Sequence, residues 1–257
     1  MIEALARAAG REILAVYASD FTAISKDDDS PLTEADLRSH RIIVDGLALL
    51  SPGTPVLSEE SAAIDYAQRS GWQRYWLVDP LDGTKEFISR NGEFTVNIAL
   101  IEEQRPVLGV VHVPVSGTTY TGSVGEGAWR DAPDTGRQSI RVRSPAGSPL
   151  RVVGSRSHGN PALGAALEAL GPHELRPAGS SLKLCLVADG SADLYPRLGP
   201  TSEWDIAAGQ GVVEAAGGRV VRLPDFSALR YNTKVDLLNP DFIACGDASL
   251  LARWPRS

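Results

Sequence analysis

The chain has 257 residues, enough to bury a substantial core in one large domain or two small ones. Hydrophobic residues make up 43% of it and charged residues 22%, a balance that excludes a disordered protein. Its 25 basic and 32 acidic residues give a formal charge of -7, which argues against binding to a nucleic acid polymer, because such binding needs a basic surface.

The N-terminal stretch predicts a surface helix rather than a membrane element. Apolar residues between Ile2 and Val16 share one helical face, and no apolar run approaches the ~20 residues of a transmembrane helix. Cys185 and Cys245 are too few for a disulfide framework and predict buried, reduced thiols. These features indicate a cytoplasmic protein. They leave open peripheral attachment to the inner membrane face and assembly into a homodimer.

The first half of the chain predicts helices followed by a run of strands. A second helix is expected after Thr33, with Asp36 three positions on as in a capping box. "PVLSEE" at 55–60 predicts a short strand, and the next strand leads into "WLVDPLDGT" at 76–84. Residues 94–100 and 106–113 predict two strands joined by a hairpin. The glycines of "GSVGEG" at 122–127 lack the order of a phosphate loop and predict a turn.

The second half predicts alternating strands and helices. Residues 131–150 are rich in Pro, Gly and Ser and predict the connection between two halves, 1–135 and 150–257. Strands are expected at 151–154, 192–195, 219–223 and 242–245. Helices are expected at 161–170, at 180–189 and from near Asp205 to the glycines at 217 and 218. Mixed elements in both halves predict layers of helices and sheets.

Four acidic residues stand at element boundaries: Glu59, Asp79, Asp82 and Asp205. Each has a structural alternative, since Glu59 could form an exposed pair with its neighbour, Asp82 could serve a turn and Asp205 could cap a helix. Taken together they favour a magnesium site, because Mg²⁺ prefers hard oxygen ligands. Pro80 and Gly83 would let the Leu81 carbonyl point the same way as the carboxylates of Asp79 and Asp82. Two cations about 4 Å apart would then suit an in-line phosphoryl displacement.

Three motifs together resemble the inositol monophosphatase superfamily of lithium-sensitive, Mg²⁺-dependent phosphatases. They are "SEES" at 58–61, "DPLDGT" at 79–84 and "WDIAAG" at 204–209, and their order and spacing match over nearly the whole chain. The longer stretches "LVDPLDGTKEFISRNGEFTVNIAL", "GSSLKLCLVADG" and "LYPRLGPTSEWDIAAG" are similar to the CysQ-type 3′(2′),5′-bisphosphate nucleotidases. The resemblance implies a layered αβαβα sandwich of the α+β or α/β class. It also implies removal of the 3′-phosphate from adenosine 3′,5′-bisphosphate in sulfur assimilation, with the sulfated precursor as a further substrate.

The resemblance implies a catalytic role for several of these residues. It assigns two or three Mg²⁺ ions to a set of oxygen ligands: Glu59, Asp79, the Leu81 carbonyl, Asp82 and Asp205. Thr84, with Glu59, would orient the attacking water and help to deprotonate it. Asp36 would lie near that water or near a further ion, although a capping-box partner of Thr33 is an equally plain interpretation.

The resemblance further implies a set of substrate contacts: Gly83, Thr84, His158, Ser180, Lys183, Arg197 and Asp205. Ser180 and Lys183 stand at a predicted helix start, where a phosphate binds well. The planar guanidinium of Arg197 suits the 5′-phosphate that is not cleaved. Lys183 as a solvated helix lysine and His158 as a surface histidine are the structural alternatives.

Other functions stay open on the sequence alone. The same chemistry could act on inositol monophosphate or fructose 1,6-bisphosphate. An aspartyl-phosphate phosphatase is less favoured, because two residues rather than one separate Asp79 from Asp82. A nucleotide-sensing module without catalysis would be expected to have a broken motif, and this motif is complete.

Overall fold

Helices and strands are mixed along the chain, with a run of consecutive strands in its middle. The structure, a computed structural model, describes residues 1–21, 24–25, 31–154 and 161–255. Its helices are α1 (Ile2–Tyr17), α2 (Glu34–Leu50), α3 (Tyr66–Arg69), α4 (Thr84–Ile88), α5 (Pro161–Leu170), α6 (Leu182–Ala188), α7 (Glu203–Ala215) and α8 (Ser249–Arg253). Its strands are β1 (Ile24–Ser25), β2 (Pro31–Leu32), β3 (Val56–Ser58), β4 (Arg74–Asp82), β5 (Thr95–Glu102), β6 (Arg105–Val113), β7 (Thr118–Ser123), β8 (Gly127–Ala132), β9 (Gly136–Ile140), β10 (Leu150–Gly154), β11 (His173–Pro177), β12 (Leu194–Arg197), β13 (Arg219–Arg222) and β14 (Phe242–Cys245).

Seven strands form the larger sheet, in the order β3-β4-β5-β6-β7-β8-β9. β3 is parallel to β4, and every later neighbour is antiparallel. The predicted hairpin between β5 and β6 is confirmed. Glu103 and Gln104 form its two-residue turn with φ angles of 47° and 66°, and such a left-handed turn matches the right-handed twist of the strands.

Five strands form the second sheet, in the order β11-β10-β12-β14-β13. β10 is parallel to both β11 and β12, whereas β14 is antiparallel to its two neighbours. The short strands β1 and β2 pair separately.

The two sheets and the longer helices stack in five layers. α1 and α2 cover one face of the seven-stranded sheet through a core that includes Ile13, Ile43 and Val78. α6 and α7 lie between the two sheets, in the largest apolar cluster. α5 and α8 close the outer face of the five-stranded sheet. This αβαβα arrangement confirms the predicted fold class.

Glycines on the larger sheet allow α7 to lie close to it. A Cβ at Gly109 would stand 2.1 Å from the carbonyl oxygen of Ala208, and a Cβ at Gly122 would stand 2.5 Å from that of Gly211. Any larger residue at Gly109 or Gly122 would push α7 away from the sheet. The depth of the helix that carries Asp205 is therefore set by residues of β6 and β7.

The structure differs from the predicted elements in places where side-chain patterns carry little information. Residues 136–140, expected within the connection, form strand β9, whose side chains are largely exposed and so show no apolar alternation. The edge strand β11 was not predicted for the same reason. α7 begins at Glu203, so Asp205 is its third residue rather than its first. α6 begins only at Leu182, because Ser180 has a φ of 42° that a right-handed helix excludes.

The division into halves 1–135 and 150–257 stays a prediction. Among the helices that the structure describes, none is both long enough and apolar enough to span a bilayer.

Candidate active site

The "DPLDGT" turn is a bulge at the end of β4. Asp79 pairs with Asn97 and Asp82 pairs with Thr95, so β4 uses three steps where β5 uses two. Pro80 lies inside this bulge, where the missing N–H group of a proline removes no hydrogen bond between the strands. The extra residue changes the direction of the chain before α4, and the two aspartates lie together at one end of the sheet.

Asp79 lies among other acids. Its side chain is 2% exposed, and the Leu81 N–H donates to its Oδ1 at 3.0 Å. Burial raises the pKa of Asp79 well above its usual range, and the negative charges of Glu59, Asp82 and Asp205 act in the same direction. A hydrogen bond between the Asp79 and Glu59 side chains adds to this effect. The four acidic residues predicted as ligands are therefore brought together.

Asp205 has two roles at once. Its Oδ2 accepts the Ser202 N–H at 2.9 Å in a capping box, so Asp205 does take part in capping α7, as the partner of the N-cap residue Ser202. Burial raises its pKa well above the usual range, followed by the charge of Asp82, and the Ser202 N–H and Arg197 oppose the shift. The carboxylate thus caps α7 and also faces the acidic cluster.

Thr84 lies beside Asp36. The Thr84 Oγ1 is 3.4 Å from Asp36 Oδ1 and 3.5 Å from the Leu81 carbonyl oxygen. The other carboxylate oxygen of Asp36 accepts the Thr33 N–H at 2.8 Å and the Thr33 hydroxyl at 2.7 Å. Asp36 therefore completes the expected capping box and still presents one oxygen to Thr84.

The donor set fits a hard divalent cation, because it consists of carboxylates and a backbone carbonyl around buried negative charge. Within the described residues, however, no group of three or more His, Cys, Asp or Glu side chains is already arranged to hold an ion. Metal ligation by Glu59, Asp79, Leu81, Asp82 and Asp205 therefore stays a prediction.

A cavity of about 330 Å³ opens next to the acidic cluster. Asp82 and Asp205 line it together with four of the predicted substrate contacts: Gly83, Ser180, Lys183 and Arg197. Gly83 has a φ of 92°, and a Cβ there would stand 3.3 Å from the Cβ of Ser180, so this position requires glycine. The cavity therefore has acidic groups and basic groups on its walls.

Lys183 is buried rather than solvated, so the structural alternative for this residue is wrong. It is 7% exposed; its Nζ donates to the Ser180 carbonyl at 2.7 Å and to the Ala178 carbonyl at 3.3 Å, and it lies 5.5 Å from the Tyr195 ring centroid. Burial lowers the pKa of Lys183, whereas the charge of Asp82 opposes that shift.

Arg197 has a donor to spare. One terminal nitrogen donates to the Pro200 carbonyl at 2.9 Å, while the buried Nε has no hydrogen-bond partner among the described residues. His158 lies outside the described residues, and its predicted contact stays a prediction.

The family model of the inositol monophosphatases matches residues 1–253. The chain belongs to the inositol monophosphatase family. This confirms the resemblance drawn from the three motifs, and members of this family are generally metal-dependent.

Comparisons with individual proteins show a more specific similarity within the inositol monophosphatase family. A "3′(2′),5′-bisphosphate nucleotidase CysQ" from Escherichia coli O157:H7 is 51% identical over 242 residues, which cover 93% of this chain and 95% of that protein. A protein of the same name from Salmonella typhimurium is 51% identical over 240 residues, with coverage of 93% and 95%. The crystal structure of CysQ from Bacteroides thetaiotaomicron superposes with a TM-score of 0.83 at 43% identity and covers 94% of each chain.

Sequence reasoning missed the residues that support Asp82. The Ser181 N–H donates to Asp82 Oδ2 at 2.6 Å, and the Ser181 hydroxyl, which also contacts the Asp205 carbonyl, lies 2.7 Å from the same oxygen. The Asn97 amide reaches the same oxygen at 3.3 Å. Asn97 carried a signal that was overlooked, because it is the lone amide within the otherwise apolar and β-branched run "FTVNIAL". Ser181 carried none beyond its place in the "GSSLK" motif.

Proposed function

We propose that this chain is a metal-dependent phosphatase that hydrolyses the 3′-phosphate of adenosine 3′,5′-bisphosphate in sulfur assimilation. The observation that carries the proposal is the cavity that is lined by Asp82 and Asp205 together with Lys183 and Arg197. Acidic groups suit a metal-bound scissile phosphate, and basic groups suit a second phosphate. The names of relatives that are about half identical over 93% of the chain support the same activity.

Mg²⁺, in two or three ions, is the proposed cofactor. The proposed ligands are Glu59, Asp79, the Leu81 carbonyl, Asp82 and Asp205, since an all-oxygen set suits Mg²⁺ better than softer metals. Bound divalent cations supply charge neutralisation and a water of lowered pKa at the scissile phosphate.

Thr84 and Asp36 are the proposed groups that handle the attacking water. A threonine hydroxyl is too weak a base to act alone. When the Thr84 hydroxyl donates toward Asp36 Oδ1, 3.4 Å away, its lone pairs face outward and can accept a hydrogen bond from the water. The proton that the water loses would then pass through Thr84 Oγ1 to the Asp36 carboxylate. The half-buried Glu59 carboxylate, which interacts with Asp79, is the proposed second acceptor.

Arg197 and Lys183 are the proposed contacts of the phosphate that is not cleaved. Arg197 keeps Nε and further N–H groups for an anion after its one bond to Pro200. Lys183, nearly excluded from water, would interact with a phosphate more strongly than a surface lysine does. Ser180, Gly83 and His158, which lies outside the described residues, complete the proposed set.

A phosphate-release assay with and without Mg²⁺ tests the proposal. The panel contains adenosine 3′,5′-bisphosphate, its sulfated precursor, inositol 1-phosphate and fructose 1,6-bisphosphate. We expect the highest kcat/KM for adenosine 3′,5′-bisphosphate and no turnover in excess EDTA. A preference for inositol 1-phosphate or fructose 1,6-bisphosphate would refute the substrate assignment, and Mg²⁺-dependent nucleotide binding without phosphate release would make the protein a sensing module.

The cytoplasmic location, any attachment to the inner membrane face and a homodimeric state remain predictions. Sedimentation velocity of the purified protein would decide the oligomeric state.

A further inference from the structure

Ser181 connects three segments that build the site. It is 2% exposed and lies between the cavity residues Ser180 and Lys183 at the start of α6. Its hydroxyl lies 2.7 Å from Asp82 Oδ2, also contacts the Asp205 carbonyl, and accepts the Asn97 amide at 2.8 Å. One buried hydroxyl therefore touches the turn after β4, strand β5 and helix α7.

The direction of this hydroxyl is informative. A serine that precedes a helix usually bonds its own helix, accepting an N–H of the first turn. Ser181 occupies that position of α6, but it makes no side-chain cap hydrogen bond there. Its side chain is turned toward Asp82 instead. The capping bond to its own helix is given up in favour of a contact with a residue 99 positions earlier in the chain.

The contacts fix one oxygen of Asp82 and leave the other available. Oδ2 is within hydrogen-bonding distance of the Ser181 N–H and hydroxyl, the Asn97 amide at 3.3 Å and the Thr95 hydroxyl at 3.5 Å. The Ser181 N–H makes the shortest of these contacts, and together with the side chains of Ser181 and Asn97 it holds the carboxylate in one orientation. Its Oδ1 is then the oxygen that is left to face a cation.

We propose that Ser181, assisted by Asn97, is a positioning residue for the Asp82 carboxylate and couples the affinity for metal to the loop that binds the nucleotide. The inference rests on the proposed function. When Asp82 is held by a cation, the Ser181 backbone and hydroxyl are held with it, and the adjoining Ser180 and Lys183 are fixed toward the substrate. Ser181 lines the same cavity, and the role proposed here is the one that it exerts through Asp82.

Calorimetric titration of Mg²⁺ into the nucleotide-free protein tests this inference without measuring turnover. Three proteins are compared: the wild type, Ser181→Ala and Ser180→Ala. Removing an outer hydrogen-bond partner of a ligand typically weakens metal binding about ten- to a hundredfold. The Ser181 N–H remains in Ser181→Ala, so we expect a loss near the lower end, about tenfold in Kd. Ser180→Ala should keep the wild-type Kd for Mg²⁺ and raise KM for the nucleotide.

Each result has a definite meaning. An unchanged Kd for Mg²⁺ in Ser181→Ala overturns the inference, and so does an equal loss in both variants, since that would indicate a general disturbance of the loop. If Ser181→Ala does not fold, Ser181→Cys has nearly the same volume but a weak donor, and it should show a similar loss. A wild-type protein that binds Mg²⁺ but does not release phosphate would contradict the proposed function and leave this test of Asp82 positioning intact.

Discussion

Two fully buried aspartates should respond in opposite ways to the same substitution. Asp79 and Asp193 are 2% and 0% exposed. Asp79 is surrounded by acids, whereas Asp193 lies 3.7 Å from the Arg143 guanidinium and 3.8 Å from that of Arg151. Asn has nearly the shape of Asp and removes only the charge. We therefore expect Asp79→Asn to stabilise the metal-free protein and Asp193→Asn to destabilise it.

The size of the Asp193 effect follows from its contacts. At 3.7 Å and an effective dielectric constant near 20, an ion pair is worth at most about 4–5 kcal/mol. Partial exposure of Arg143 reduces this value. The two oxygens of Asp193 also accept the Arg151 N–H at 2.8 Å and the Gly147 N–H at 3.4 Å, and an amide can satisfy only one of them. A loss of about 2–4 kcal/mol is expected, which lowers Tm by roughly 5–10 °C in a chain of this length.

Asp79→Asn keeps the hydrogen bond from the Leu81 N–H, and its amide can donate to Glu59, with which Asp79 also shares a hydrogen bond. The amide oxygen can still accept the Leu81 N–H, while the repulsion from Glu59, Asp82 and Asp205 disappears. Relief of such strain at a functional site is typically worth about 0.5–2 kcal/mol, or roughly 1–5 °C in Tm. Mg²⁺ should raise Tm in the wild type and much less in this variant, which should also have lost its turnover.

Thermal unfolding followed by far-UV circular dichroism at pH 8, with EDTA and then with excess Mg²⁺, measures the Tm of the wild type and of both variants. If Asp79→Asn lowered Tm in EDTA as far as Asp193→Asn does, the Asp79 carboxylate would have a structural role and the reasoning would be wrong.

Three further outcomes are expected. Burial lowers the pKa of His112 to about 4 from an ordinary 6.5, so between these pH values the unfolded chain binds a proton that the folded protein does not. As the pH drops from 6.5 to 4, the free energy of unfolding of the wild type should therefore fall by about 3 kcal/mol more than that of His112→Gln. Equal pH dependences of the two proteins in urea unfolding would contradict this. Lys183→Met should raise KM for adenosine 3′,5′-bisphosphate about tenfold or more while kcat/KM for inositol 1-phosphate changes less, because only the first substrate has a second phosphate; equal losses in steady-state kinetics would argue against that role. Gly109→Ala should cost about 1–3 kcal/mol in urea unfolding, since its Cβ meets the Ala208 carbonyl, and a neutral effect would mean that α7 can shift freely.

The sequence motifs located the acidic cluster, whereas they did not locate the edge strands of the two sheets. The acids of the cluster are recognisable because each belongs to a short motif at the end of an element, where local chain geometry decides direction. β9 and β11 could not be predicted in this way, because an edge strand with exposed side chains needs no apolar alternation. Their strand character comes from the neighbours with which they pair, and that information is not local.

The supporting contacts could not be predicted for a different reason. Asp82 is bonded by Ser181, which lies 99 residues away in the chain, and the amide of Asn97 bonds that serine across 84 residues. No spacing rule connects such positions. The structural alternative for Lys183 was wrong for the same reason, since its burial depends on Tyr195 and on the folding of its own loop over the side chain.

A second long-range hydrogen-bond network joins the segment after Glu59 to the start of α7. Arg69 donates to the Asn232 side chain at 2.5 Å, and the Asn232 N–H donates to the Glu203 carboxylate at 2.8 Å. Arg69 follows the segment that carries Glu59, and Glu203 begins the helix that carries Asp205. All three members of the network are less than 5% exposed.

The contrast between this network and the acidic cluster bears on function. Buried charge is costly, and the chain compensates it internally at Asp193 with arginines and at Glu203 with an amide and a nearby arginine. At Asp79 the neighbours that the same fold supplies are further acids. The chain supplies cationic or hydrogen-bonding partners to Asp193 and Glu203, but it gathers Asp79 with three further acids, two of which line a cavity. This arrangement supports the proposed binding of divalent cations, with Arg197 and Lys183 on the same cavity as the proposed phosphate contacts.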